Sequence, residues 1–569
     1  MRIWLFRLIA LCLPLLILLL MEISLRQLFP VQPLPLFKPN PANPAYLVTE
    51  AQIVQRYFPA GAQVPRVELE PSFVLAQKPE QGIRILVQGG STAAGYPYGL
   101  GASIAGMLEQ RLRRTFPERH IEVINTALSA VNSYTLLDFA DEIIALQPDA
   151  VLIYAGHNEY LGLLGVGSNY IATSSPRLSR WLLALRQLRT VQLLEQGFYQ
   201  LKTAAKPAEP ADNSRTFMAK VARDKHIALH SATYKAGLTQ FTFNMSQLLA
   251  HYQAAGIPVY ISTIASNLAD QAPFESAPLS TTQQQQLHQL TQLEPAAAQD
   301  ALASALAAEA NASGHAMLHY QLAQWYRQQD QIAAAKNHFV QAREHDLLRF
   351  RAPLAINRLI TSLADSFNAI LVDSEAAFVA HSPHGLIGRE LMLEHLHPNV
   401  QGYFLIADSF YLALYQQQAF GRWPKPVPPA LAWQERPLTP AEEEAGALRI
   451  LQLTADYPFR ASPVEVQFPK ATDIAGQLAS AYVQGQLDWL SMQQQMARYY
   501  HQQKDGDMLL KTLKIIADAL PHDGIANVQA AQILMQAKRQ AEARHYLHRA
   551  LLTNNVPPEA ELLLQQLSR

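Results

Sequence analysis

Five short apolar runs rich in β-branched residues, at 83–88, 121–125, 150–154, 257–263 and 369–373, are separated by segments of helical periodicity such as 104–115, 136–146 and 241–254. Strands that alternate with helices form a parallel sheet with helices packed on it, so an α/β layer fold is expected. More than a hundred residues part the fourth run from the fifth. That is too long for one connection and predicts an inserted helical subdomain.

The insertion opens on a Gln- and Ala-rich stretch at 283–310 and continues into Leu322, Ala323, Tyr326, Ala335, Phe339 and Ala342. These fall at the offsets of a tetratricopeptide unit, where small residues let two helices approach and large ones fill the groove between them. Ala531, Leu534, Ala543, Leu547 and Ala550 repeat the spacing near the C-terminus, with a looser copy at Ala497, Tyr500, Leu509, Leu513 and Pro521. Residues 441–569 are expected to form an all-helical tail that packs on something else, since so few repeats do not bury their own faces. The helical repeats also offer a surface for a protein partner.

The N-terminus sets the compartment. Residues 3–21 are apolar except for Arg7, and a helix of that length spans about 28 Å, close to the hydrocarbon core of a bilayer. The residues that follow, Glu22-Ile23-Ser24-Leu25-Arg26-Gln27-Leu28-Phe29-Pro30, lack a small-residue cleavage site, so an uncleaved signal anchor is expected. Arg2 and Arg7 precede the apolar core, which places the bulk of the chain outside the cytoplasm, in the periplasm if the source is bacterial. Prolines at 30, 33, 35, 39, 41, 44, 59 and 65 then predict an extended spacer. The only cysteine, Cys12, lies in the apolar run, so neither a disulfide framework nor a thiolate metal site is available. With 45 basic and 46 acidic residues there is no electrostatic footprint for nucleic acid. Residues 1–30 are read as the anchor, 31–74 as the spacer, 75–277 and 350–420 as the two parts of an α/β domain, 278–349 as the insertion and 421–569 as linker and helical domain.

Three passages carry chemistry. Residues 83–95 run from a strand into Gly89-Gly90-Ser91, a turn that presents a serine where ligands bind in an open α/β sheet; a structural or phosphate-cradling turn is the alternative. A serine nucleophile needs a base, and the base an orienting group. After the last strand, Glu394-His395-Leu396-His397-Pro398 sets a carboxylate three residues before a histidine. At the end of the third strand, Gly156-His157-Asn158-Glu159 offers an asparagine amide to a developing oxyanion. His381, His384, His395 and His397 with Glu394 also admit a metal reading, with His395 otherwise a turn residue. Arg351, Asn267 and Asp270 lie toward the site edge without a catalytic assignment, and Arg351 reads as solvated.

These passages resemble the sequence blocks of the SGNH hydrolases, the GDSL-type esterase superfamily. Gly89-Gly90-Ser91 matches the first block, Gly156-His157-Asn158-Glu159 the third and Glu394-His395-Leu396-His397-Pro398 the fifth. The resemblance implies a flavodoxin-like three-layer fold, with Ser91 as nucleophile, His397 as base and then acid, and Glu394 as its orienting carboxylate. It also implies an oxyanion hole built from Asn158 and the amides of Ser91 and Ala130. Gly90 stands where the family has aspartate, Glu394 where it has aspartate, and Ala130 where its second block has glycine. No cofactor or metal is implied. The expected activity is that of a membrane-anchored serine esterase acting on a carbohydrate or lipid ester. Acyl transfer to a glycan by the same triad, and a degenerate membrane-tethered scaffold, are the alternatives.

Overall fold

The computed structural model describes residues 2–29, 34–58, 67, 69–167, 176–186, 188–205, 218, 226–292 and 296–567. Its centre is a parallel sheet of β4 (Ile83–Gly89), β5 (Ile121–Asn125), β6 (Ala150–Tyr154), β7 (Val259–Ser262) and β8 (Ile370–Val372), in the order β5-β4-β6-β7-β8. Counted within the domain this is 2-1-3-4-5, the flavodoxin-like order. β4, β5, β6 and β7 are buried at every residue, as strands covered on both faces must be. On one face α3 (Ile104–Thr115) packs with α15 (Val400–Gln416); on the other α8 (Ala232–Ala254) packs with α4 (Ser133–Asp138), α5 (Ala140–Ala145) and α13 (Leu354–Ser366). The single helix expected at 136–146 is thus two short ones that meet at Phe139, whose ring is buried in the core.

The proline-rich segment is not an extended spacer. β1 (Phe37–Pro39), β2 (Tyr46–Thr49) and β3 (Phe73–Leu75) form a small antiparallel sheet, and Leu36, Ile53, Val54, Tyr57, Leu69 and Val74 enter the core of the α/β domain. The apolar residues between the prolines decide this, because leaving each of them in water costs about 1.5–3 kcal/mol. Arg56 adds ion pairs to Asp138 and Glu142.

Between β7 and β8 the insertion comprises α9 (Thr281–Leu290), α10 (Ala296–Ser313), α11 (Ala316–Gln328) and α12 (Ile332–Glu344). Leu322, Ala323, Tyr326, Ala335 and Phe339 are buried in one cluster, as the spacing predicts. A second excursion, α6 (Pro176–Leu185) and α7 (Arg189–Ala205), leaves between β6 and α8 and has no counterpart in the sequence reading.

The tail runs from α17 (Pro440–Thr454) through α18 (Ile474–Val483), α19 (Trp489–Gln503), α20 (Gly506–Ala519), α21 (Gly524–Gln536) and α22 (Gln540–Leu551) to α23 (Pro558–Leu567). Ala531, Leu534, Ala543, Leu547 and Ala550 are buried together between α21 and α22. What the tail packs on is the α/β domain itself: Arg113 and Arg114 of α3 pair with Asp518 and Glu435, and Asn43 donates to the Leu552 carbonyl at 3.1 Å.

The apolar N-terminal run lies in α1 (Arg2–Leu28), 27 residues long. The side chains at 3, 5, 6, 8, 9 and 11 lie outside the described residues. Among the described residues no helix is long and apolar enough to cross a membrane.

Candidate active site

The chain turns from β4 to β5 on one side and to β6 on the other, so a crevice opens at the carboxyl ends of β4 and β6. Ser91 follows β4 and Asn158 follows β6 on its two sides. Gly89 is paired in register with Tyr154, and a Cβ on Gly89 would lie 2.2 Å from the Tyr154 carbonyl oxygen. A Cβ on Gly90 would lie 2.9 Å from Asn158 Nδ2. The paired glycines are thus required by close approach: they let the strand end, the serine and the Asn158 amide share one corner.

His397, 306 positions along the chain, brings Nε2 to 2.7 Å from Ser91 Oγ. Its Nδ1 faces the Glu394 carboxylate. The backbone amides of His395 and His397 donate to the two oxygens of that carboxylate at 2.7 and 2.9 Å, which fixes its plane. The loop is held from both sides. Leu393 N–H donates to the His397 carbonyl at 2.8 Å, Asn267 N–H to the His395 carbonyl at 3.0 Å, and the Asn267 amide to the Glu394 carbonyl at 3.1 Å. Asn399 then caps α15 by accepting from Gly402 N–H. Ser91, His397 and Glu394 therefore form one line of contacts, from hydroxyl to imidazole to carboxylate. Burial pushes the His397 imidazole down, to about 3, while the carboxylate on Nδ1 acts in the opposite direction.

Asn158 donates one Nδ2 hydrogen to the Val131 carbonyl at 2.9 Å, leaving the second for a ligand. Ala130 has φ of 63°, in the left-handed region, and its carbonyl accepts from Leu163 N–H at 2.7 Å. An alanine pays about 1–2 kcal/mol to hold that conformation. Behind these groups Glu159 is buried and accepts from Ser133 Oγ and Gln240 Nε2, both at 2.7 Å. Burial pushes its carboxyl up to about 7, opposed by those hydrogen bonds. It ties the turn after β5 to the turn after β6. A carboxylate next to a predicted oxyanion asparagine was the available signal for this role.

His395 lies in a bend of the chain, but its side chain is enclosed. It is 1% exposed, its Nδ1 faces the second oxygen of Glu394, and its ring meets Phe274, Phe350 and Phe459 edge-on at 5.2, 6.0 and 5.5 Å. Phe459 comes from the segment after α17, so the helical tail reaches the loop of Glu394, His395 and His397. Glu394, His395 and His397 bring ligand-type atoms within 4.8 Å of one another, the grouping that the metal reading needs. Both imidazoles turn Nδ1 to the one carboxylate, and His397 turns Nε2 to Ser91. His381 and His384 are exposed and stand outside that group. His157 is buried, accepting from Ala352 N–H at Nδ1 and reaching the Ala265 carbonyl through Nε2. Burial pushes it down to about 3. Arg351 is buried rather than solvated: it donates to the carbonyls of Asn267 and Gln271 and pairs with Asp346 at 3.1 Å. Asp270 pairs with Arg327 and Arg389.

No protein-family model matches the chain, and no curated protein does. Among solved structures, a protein described as a GDSL-like lipase from Parabacteroides merdae aligns at 13% identity over 59% of this chain and 98% of its own, with a TM-score of 0.28. The acetylxylan esterase Axe2 from Geobacillus stearothermophilus aligns at 14% identity over 62% and 100%, TM-score 0.27. The acetyl xylan esterase AlAXEase aligns at 12% over 58% and 100%, TM-score 0.27. Likenesses this distant leave the chemistry to the residues themselves, and the fold class rests on the strand order.

Proposed function

We propose that the chain is a membrane-anchored, extracytoplasmic serine esterase of SGNH type that removes short acyl groups. The observation that carries the proposal is the 2.7 Å contact between Ser91 Oγ and His397 Nε2, with Nδ1 held by Glu394. Ser91 Oγ attacks the ester carbonyl as His397 Nε2 takes its proton, and Glu394 stabilises the imidazolium. The free Asn158 N–H and the amides of Ser91 and Ala130 take the negative charge that develops on the carbonyl oxygen. The C–O bond to the alcohol then breaks, and His397 returns the proton to the leaving oxygen. A water that gives its proton to His397 attacks the acyl-Ser91 carbonyl, releasing the acid and regenerating the serine.

The recess beside Ser91, bounded by Val131, Tyr154, Gly156, His157, Asn158 and Leu396, holds about 20 Å³. That volume takes a methyl group and supports an acetyl-sized acyl chain. Anchoring is supported by α1, where Leu13, Leu15, Leu16, Ile17, Leu18, Leu19 and Leu20 are each at least half exposed.

A fluorophosphonate probe on the full chain tests the reading by intact mass. One adduct is expected on Ser91, absent from Ser91→Ala and His397→Ala. Asn158→Ala should lower turnover of an acetyl ester on the order of a hundredfold. An unlabelled wild-type chain, beside a serine esterase that labels fully, would sink the proposal.

A further inference from the structure

α6 and α7 form a hairpin whose outer side carries bulky apolar residues in water. Trp181 is 58% exposed, Leu194 and Phe198 69%, and Leu201 73%. On α7 the last three stand at i, i+4 and i+7, which puts them on one face. Exposed stripes of this kind mark a surface that something covers.

The placement of the hairpin says what covers it. The carboxylate of Glu22, the first residue after the apolar run of α1, accepts from Arg189 N–H at 2.7 Å, Thr190 N–H at 2.9 Å and Thr190 Oγ1 at 2.7 Å. The first turn of α7 is therefore pinned at the level where α1 changes from apolar to charged. Arg186 donates to the Tyr57 carbonyl at 3.0 Å, which ties the hairpin to the catalytic domain, and pairs with Glu195 of α7 at 2.8 Å within it. Residues 176–205 hold five basic residues, Arg177, Arg180, Arg186, Arg189 and Lys202, against one acidic residue, Glu195, in a chain whose net charge is −1. An apolar stripe flanked by a tryptophan and basic residues matches the boundary between anionic headgroups and acyl chains.

We propose that the α6–α7 hairpin lies in the interface of an anionic lipid bilayer, with Trp181, Leu194, Phe198 and Leu201 inserted below the headgroups. This rests on the reading of α1 as a membrane anchor. Two contacts with the bilayer, a span and an interfacial hairpin, hold the catalytic domain at a fixed attitude to the membrane instead of leaving it on a free tether.

The test uses the full chain in vesicles of equimolar phosphatidylcholine and phosphatidylglycerol, with an environment-sensitive fluorophore on single cysteines. Native Cys12 reports on the span. Phe198→Cys and, separately, Leu201→Cys, each in a Cys12→Ser background, report on the hairpin. The expected result is deep-doxyl-lipid quenching at Cys12, with blue-shifted emission and shallow-doxyl-lipid quenching at 198 and 201. Quenching at Cys12 with none at either hairpin position would overturn the proposal and leave the anchor standing. A blue shift at 198 and 201 without quenching would also overturn it, showing that protein, such as a second copy of the chain, covers the stripe. No quenching at Cys12 would remove the anchor reading and the proposal with it.

Discussion

His397 is held by two opposed influences: burial favours its neutral form, and the Glu394 carboxylate favours the charged one. Burial dominates at the 6% exposure of this residue, so its folded pKa lies below the ordinary value of 6.5. The sign follows. Between the lowered folded value and 6.5 the unfolded chain binds a proton that the native site does not, so stability contributed by this group falls as pH drops through that window. On the proposed mechanism, a base that stays unprotonated keeps working in mild acid. The acid limb of kcat/KM is expected below pH 6.5, and a limb at or above 6.5 in a pH-rate profile would contradict the burial argument. That Ser91, His397 and Asn158 come together was legible in the sequence because each follows a strand or lies in the last strand's loop. His395 was not, because adjacency in a motif cannot tell which oxygen of Glu394 an imidazole will face or that three phenylalanines from separate segments will enclose it.

Within the elements, charges occur where the strand pattern expects apolar residues. Arg84 in β4 and Glu122 in β5 are both buried, joined at 2.8 Å. The remaining Arg84 donors reach the carbonyls of Leu75 at 2.7 Å and Leu146 at 2.8 Å, and Glu122 accepts from Leu75 N–H at 2.7 Å. The pair thus fastens β3 of the N-terminal sheet to the edge of the central one. Glu122→Gln leaves the Arg84 charge buried without its partner, and a loss of about 3–5 kcal/mol is expected in urea unfolding. A shift under 1 kcal/mol would mean that water reaches Arg84. The five main strands and α3 were readable from periodicity, since apolar spacing is a local property. The small sheet was not: its strands are three or four residues long, and their burial depends on distant partners such as His522, whose ring centroid lies 4.2 Å from that of Phe73.

Across the whole molecule, the helical tail and the α/β domain meet at Asp518. It accepts from Arg549 at 3.0 Å and Tyr546 at 3.1 Å within the tail, and pairs with Arg113 on α3. Burial acts to raise this carboxyl, but Arg113 and Arg549 outweigh it and hold it below the ordinary aspartate value. Asp518→Ala would leave the Arg549 guanidinium buried without its counter-charge and Arg113 with Glu109 alone, and a loss of about 3–5 kcal/mol is expected, read by thermal unfolding of the full chain. An unchanged transition would show that the tail is held by apolar packing alone. The sequence by itself determined the α/β class, the positions of the main strands, the helical character of the insertion and tail, and the three passages that meet at the crevice. All of these depend on periodicity or on a motif a few residues long. Only the tertiary structure decided that the proline-rich segment folds onto the core, that the tail lends Phe459 to the loop of Glu394 and His397 and that His395 shares the Glu394 carboxylate with His397. Each of these is a contact between distant segments, fixed by which buried surfaces and charges find partners when the chain closes on itself.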